Sequence, residues 1–95
     1  MWILRSTNEE TERILRVTPG TSRTVGRGPR SDFVVDAPLL SRVHCRLLAT
    51  QTELTVEDLG STNGTFVNAH RVSQSPLQSG DQLKLGRLEL QVFQE

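Results

Sequence analysis

Cysteine is nearly absent from this 95-residue chain, where Cys45 stands alone. A single thiol excludes an internal disulfide and any multi-cysteine zinc site. Histidine is also scarce, and His44 and His70 show no metal-ligand spacing with that cysteine. No apolar run comes near the ~18 residues that a membrane-crossing helix needs. Met1-Trp2-Ile3-Leu4-Arg5 lacks the build of a signal peptide, so an intracellular protein without membrane contact is expected. Lysine is all but missing: Lys84 stands against ten arginines, while the formal net charge is zero. A neutral total makes nucleic acid an unexpected partner. Arginine's planar fork suits a bidentate grip on phosphate or carboxylate instead.

What is present is rhythm of period two. In Gln82-Leu83-Lys84-Leu85 and Leu88-Glu89-Leu90-Gln91-Val92 every second side chain is apolar, the pattern of strands with one wet and one dry face. Gly86-Arg87 between them predicts a two-residue hairpin with glycine first, the type II′ turn. Further short runs lie at Trp2 to Arg5, Arg13 to Thr18, Arg23 to Val25, Asp32 to Val35, Val43 to Ala49 and Glu53 to Asp58. Thr65-Phe66-Val67 resumes a strand after Asn63-Gly64. Turn residues punctuate them, among them Pro19-Gly20, Gly28-Pro29, Asp36-Ala37-Pro38 and Ser79-Gly80-Asp81. Many short strands at close spacing predict an all-β sandwich. The length predicts a single domain over residues 1–95. Asn8 to Arg16 is the one stretch with helical features: Asn8 as a cap and acids in the first turn.

Between the apolar runs lie three polar pieces: Gly26-Arg27, Ser41-Arg42-Val43-His44 and Ser61-Thr62-Asn63-Gly64-Thr65. They hold guanidinium, hydroxyl and amide groups and no carboxylate. This is chemistry for gripping a phosphate beside a peptide backbone, since a phosphothreonine carries about −1.5 to −2 charges and three acceptor oxygens. Arg27 has a fork for two of those oxygens, and each charge-assisted bond contributes ~1.5–3 kcal/mol. Taken singly, each residue has a plainer reading: Arg27 as a solvated surface cation, Ser41 and Asn63-Gly64 as turn residues.

In order and spacing the three pieces resemble the forkhead-associated (FHA) domain, with Gly-Arg, Ser-x-x-His and Asn-Gly. The match runs from Trp2 to Phe93 and is most specific over Asp58-Leu59-Gly60-Ser61-Thr62-Asn63-Gly64-Thr65-Phe66-Val67-Asn68. The resemblance implies a β-sandwich of two mainly antiparallel twisted sheets, about eleven short strands, with recognition loops at one end. It implies a module that binds phosphothreonine in partner proteins, without catalysis and without a cofactor. Arg27, Ser41, Arg42 and Thr62 would then hold the phosphothreonine, and Asn63 the peptide backbone. Gly26, His44 and Gly64 would shape the site, His44 by holding the serine-bearing loop. In the family Asn8 to Arg16 corresponds to a hairpin loop, which is the expectation adopted over the helix. A notch for the threonine γ-methyl would be worth only about 0.8 kcal/mol. Leu39 and Leu40 suggest an apolar contact with the peptide, and Arg30, Arg42 or Arg46 an acidic one. The start at Met1-Trp2 and the early Gly26-Arg27 also resemble the amino terminus of nibrin-type DNA-repair proteins. That resemblance implies a nuclear role in the DNA-damage response.

Other chemistries fare worse. Ser41 and His44 with Asp36 or Asp58 lack the Gly-x-Ser-x-Gly elbow of a hydrolase. His44 and Cys45 are adjacent, so on a strand they face opposite sides. Gly26 to Ser31 loosely follows a dinucleotide loop, but Pro29 and the lack of a following helix exclude it. Asn63-Gly64-Thr65 fits a glycosylation sequon without consequence in a chain lacking a secretory signal. The alternatives kept open are a sandwich binding an unphosphorylated protein, and one binding DNA ends through its arginines.

Overall fold

The computed structural model describes every residue from Met1 to Glu95. Eleven strands and no helix make up the chain: β1 Trp2–Ser6, β2 Ile14–Val17, β3 Ser22–Gly26, β4 Phe33–Val34, β5 Cys45–Ala49, β6 Leu54–Asp58, β7 Thr65–Val67, β8 His70–Val72, β9 Gln74–Leu77, β10 Gln82–Leu85 and β11 Leu88–Gln94. They form a six-stranded sheet in the order β2-β1-β11-β10-β7-β8 and a five-stranded sheet in the order β4-β3-β5-β6-β9. Every pairing is antiparallel except that of β4 with β3.

Alternation decides which side of each strand is dry. In β10 and β11 Leu83, Leu85, Leu88, Leu90 and Val92 are buried, while Gln82 and Lys84 face water. Val25, Cys45, Leu47, Leu54 and Val56 answer them from the other sheet. The two inner faces close one core of 20 buried apolar residues. Burial of each large aliphatic side chain contributes about 1.5–3 kcal/mol.

The predicted hairpin is present, with Leu85 opposite Leu88 and Gly86 at φ 60. Asn8 to Arg16 is not a helix. Asn8 instead donates from Nδ2 to the Arg87 carbonyl (2.7 Å) and accepts from the Glu89 amide (3.0 Å), pinning the β1–β2 loop to that hairpin. Asp32 to Val35 shortens to the two residues of β4: Asp32 meets the Thr24 amide through its side chain (2.9 Å), and just after Val35 the chain turns, the Ala37 amide closing on the Val35 carbonyl (3.1 Å). β8 and β9 are additional to the strands that alternation marks; they are short edge strands in which only Leu77 is buried.

The register also sets polarity along the long axis of the sheet. Trp2 lies opposite Gln94 at one end, and Ser6 opposite Leu90 at the other. The β10–β11 turn belongs to the second end, where the Arg87 amide reaches the Pro38 carbonyl (3.3 Å) in the β4–β5 connection. That connection carries one of the three polar pieces.

Candidate functional site

Main-chain bonds tie the three polar loops together. The Arg27 amide donates to the Ser41 carbonyl and the Gly28 amide to the Arg42 carbonyl, each at 2.9 Å. The His44 amide meets the Val25 carbonyl (2.8 Å), and the Leu59 amide the His44 carbonyl (3.0 Å). Gly26 is where the first two loops nearly touch. A Cβ there would lie 2.1 Å from the Arg42 carbonyl oxygen and 2.4 Å from Ser31 Oγ. Only glycine permits that approach.

His44 joins the second loop to the third. Its ring is fully buried. Nδ1 accepts from the Ser41 amide (3.1 Å), so the proton resides on Nε2, which donates to the Gly64 carbonyl (2.8 Å). Gly64 itself takes φ 91. Burial holds the His44 pKa below the usual histidine value, opposed by the Gly64 bond and the Asp58 charge. Both ring nitrogens are committed to main chain, so neither is placed to deprotonate the Ser41 hydroxyl. A serine–histidine hydrolase reading therefore lacks its base. Burial likewise raises the Cys45 thiol far above its ordinary range, which makes it inert.

The depressed His44 value has a direct consequence for stability. The unfolded chain binds a proton near pH 6.5 while the folded one resists it, so stability is full above about pH 6.5 and declines as pH falls through the lower folded value. The thermal midpoint is expected to drop between pH 7 and 5, and a His44→Gln variant to lose most of that slope. An unchanged slope in the variant would place the titration elsewhere.

Asp58, at the end of β6, organises the third loop. It accepts from the Gly60 amide (3.1 Å), the Ser61 amide (3.2 Å), the Ser61 hydroxyl and the Thr65 hydroxyl (2.7 Å). Burial alone would raise its pKa, but the Ser61 and Thr65 bonds outweigh it and hold the carboxyl below 3.8. Ser61 Oγ then accepts from the Gly64 amide (3.0 Å). In the first loop Ser31 Oγ donates to the Arg42 carbonyl (2.6 Å). Sequence reasoning assigned no role here to Asp58, Ser61 or Ser31. An Asp with Gly and Ser two and three residues on is the signature of an Asx turn and marks Asp58 and Ser61; Ser31 has no comparable signal.

These supports gather Arg27, Ser41, Arg42, Thr62 and Asn63 around one open cleft of about 560 Å³, and no carboxylate lines it. Ser41 Oγ accepts from the Thr62 amide (3.1 Å), which leaves its hydroxyl proton to donate outward. Asn63 spends one amide hydrogen on the Leu39 carbonyl (3.0 Å) and keeps Oδ1 and its second hydrogen. Leu39 is 50% exposed and sits at φ 65. Leu40 also borders the cleft, but at 2% exposed its side chain belongs to the core. Arg46 pairs with Glu57 at 2.9 Å across β5 and β6 and does not line the cleft.

A family model described as FHA domain matches residues 23–86. The chain belongs to the FHA family. Among curated relatives, the domain is 39% identical over 67 residues to an oxoglutarate dehydrogenase inhibitor of Corynebacterium efficiens. That alignment covers 70% of this chain and 47% of the relative. It is 38% identical over 78 residues to the glycogen accumulation regulator GarA of Mycolicibacterium smegmatis, covering 82% of this chain and 48% of that one. The chain thus spans about half the length of the curated relatives it matches. Among solved structures, one from a study of phosphothreonine-dependent FHA domain interactions superposes with a TM-score of 0.90 at 30% identity. It covers 99% of this chain and 96% of that one. The FhaA FHA domain, crystallised with the intracellular domain of another protein, gives 0.88 at 30% identity, covering 97% of this chain and 99% of that one. The sandwich of this FHA domain is accordingly the family's fold.

Proposed function

We propose that this FHA domain binds phosphothreonine-containing proteins and so makes an association depend on phosphorylation. The observation that carries the reading is the single carboxylate-free cleft shared by Arg27, Ser41, Arg42, Thr62 and Asn63. Arg27 and Ser41 take phosphate oxygens, with Arg42 and Thr62 beside them. Asn63 meets the main chain of the bound peptide. Gly26, His44 and Gly64 keep the loops in register. The domain acts by occupancy and performs no chemistry on its partner.

Relatives named as an enzyme inhibitor and a metabolic regulator support a signalling role in which binding changes a partner's activity. They are bacterial, which favours a cytoplasmic bacterial setting over the nuclear DNA-repair setting that the nibrin-type resemblance implied. No helix is long and apolar enough to cross a membrane. Neither a phosphorylation-independent sandwich nor a DNA-end binder gains support from these relatives or from the cleft.

Calorimetric titration with phosphothreonine, phosphoserine and unmodified versions of one peptide tests the reading. The phosphothreonine form is expected to bind with Kd of about a micromolar, near −8 kcal/mol. The phosphoserine form should bind more weakly and the unmodified form not measurably. Equal binding of the unmodified peptide would end the proposal.

A further inference from the structure

Arg27, Arg30 and Arg42, on the recognition loops, are in no ion pair; Arg16, Arg23, Arg71 and Arg87 are likewise unpaired, and only Arg5, Arg13 and Arg46 have carboxylate partners. Arg30 and Arg42 line a second cleft of about 500 Å³ together with Gly28, Pro29 and Val43. This cleft shares Arg42 and Val43 with the one described above, so the two are neighbours. No carboxylate lines it either. The nearest acids in sequence are engaged or outside: Asp32 accepts from the Thr24 amide (2.9 Å), and Asp36 lines neither cleft.

The arrangement is built, not incidental. Residues 28–31 form a turn closed by the Ser31 amide on the Gly28 carbonyl (3.1 Å), with Pro29 presetting its second position. The Arg42 carbonyl receives both the Gly28 amide (2.9 Å) and the Ser31 hydroxyl (2.6 Å). A Cβ on Gly28 would fall 3.0 Å from the Cβ of Arg42. The turn that bears Arg30 is therefore fastened at both ends to the backbone that bears Arg42. The two guanidinium-bearing side chains leave from fixed backbone points on one cleft, so a single anion can meet both forks.

We propose that Arg30 and Arg42 form a second anion subsite, which takes a carboxylate or phosphate side chain flanking the phosphothreonine on the same peptide. This rests on the phosphothreonine reading of the first cleft. Arg30 supplies specificity and stands apart from the phosphothreonine itself. Arg46, already held by Glu57, takes no part.

The test uses a short alanine–glutamine peptide with one central phosphothreonine. It is compared with peptides carrying, at one flanking position at a time, either glutamate or a second phosphothreonine. At one position glutamate should lower Kd about three- to tenfold, as for a partly exposed charge pair. A second phosphothreonine there should lower it further, which distinguishes the two sources of the anion. The gain should shrink as salt is raised. Arg30→Gln should abolish the gain and leave Kd for the parent phosphopeptide within about twofold. If the parent peptide binds but no flanking acid tightens it, or if Arg30→Gln weakens all peptides equally, the second subsite is refuted alone. If the parent phosphopeptide binds no better than its unmodified form, both readings fall.

Discussion

Arg27→Ala is expected to lower phosphothreonine-peptide affinity about a hundredfold or more while the thermal midpoint stays in place. The size follows from losing two charge-assisted bonds at ~1.5–3 kcal/mol each, where each 1.4 kcal/mol is about tenfold in Kd. Persistence of the fold follows from the structure. The Arg27 side chain is exposed and in no ion pair, and the bond that matters to the loop is made by its amide, which alanine retains. Arg27→Lys should fall between, since an ammonium keeps charge but not the fork. Titration and thermal melting of the same samples check both halves. An unfolded Arg27→Ala would make the residue structural, and affinity within threefold of the parent would remove it from the site.

Gly26→Ala is expected to be strongly destabilising. Its Cβ would meet the Arg42 carbonyl oxygen at 2.1 Å and the carbonyl carbon at 2.6 Å. Those are backbone atoms and cannot rotate aside. Retreat of the Arg42 carbonyl would also loosen its bonds from the Gly28 amide and the Ser31 hydroxyl. Overpacking of this kind costs about 3 kcal/mol, and at ~4–8 °C per kcal/mol the midpoint should fall by about 12–24 °C. Gly28→Ala, whose nearest contact would be at 3.0 Å, should cost less. Urea denaturation of the two variants gives the comparison. A Gly26→Ala protein as stable as the parent would show that the two loops are not in close apposition.

Legibility from sequence varied with the kind of force involved. The β10–β11 hairpin was readable because strict alternation and Gly86 both pointed to it. β8 and β9 were not, because they are edge strands with little to bury: Val72 is half-buried, and Pro76 normally argues against a strand. The identity of the polar pieces was legible through the FHA resemblance, and the structure brings Arg27, Ser41, Arg42, Thr62 and Asn63 to one cleft. Leu39 and Leu40 could not be told apart by composition. A φ of 65 at Leu39 turns one outward and leaves the next in the core. The structural role of Asp58 was not legible from hydrophobic pattern, because its work consists of short-range hydrogen bonds, which leave no period. Composition also could not show that Arg46 is held by Glu57 while Arg30 is in no ion pair.

The pairing of β1 with β11 places the first and last strands side by side within the six-stranded sheet. The Glu95 amide closes on the Met1 carbonyl at 2.9 Å, at the end of the sheet opposite the β10–β11 turn and its contact with the recognition loops. Polypeptide joined to either terminus would therefore leave from a common point at the back. The domain has the geometry of a cassette: it can be carried on a tether from either side without its mouth being turned or covered.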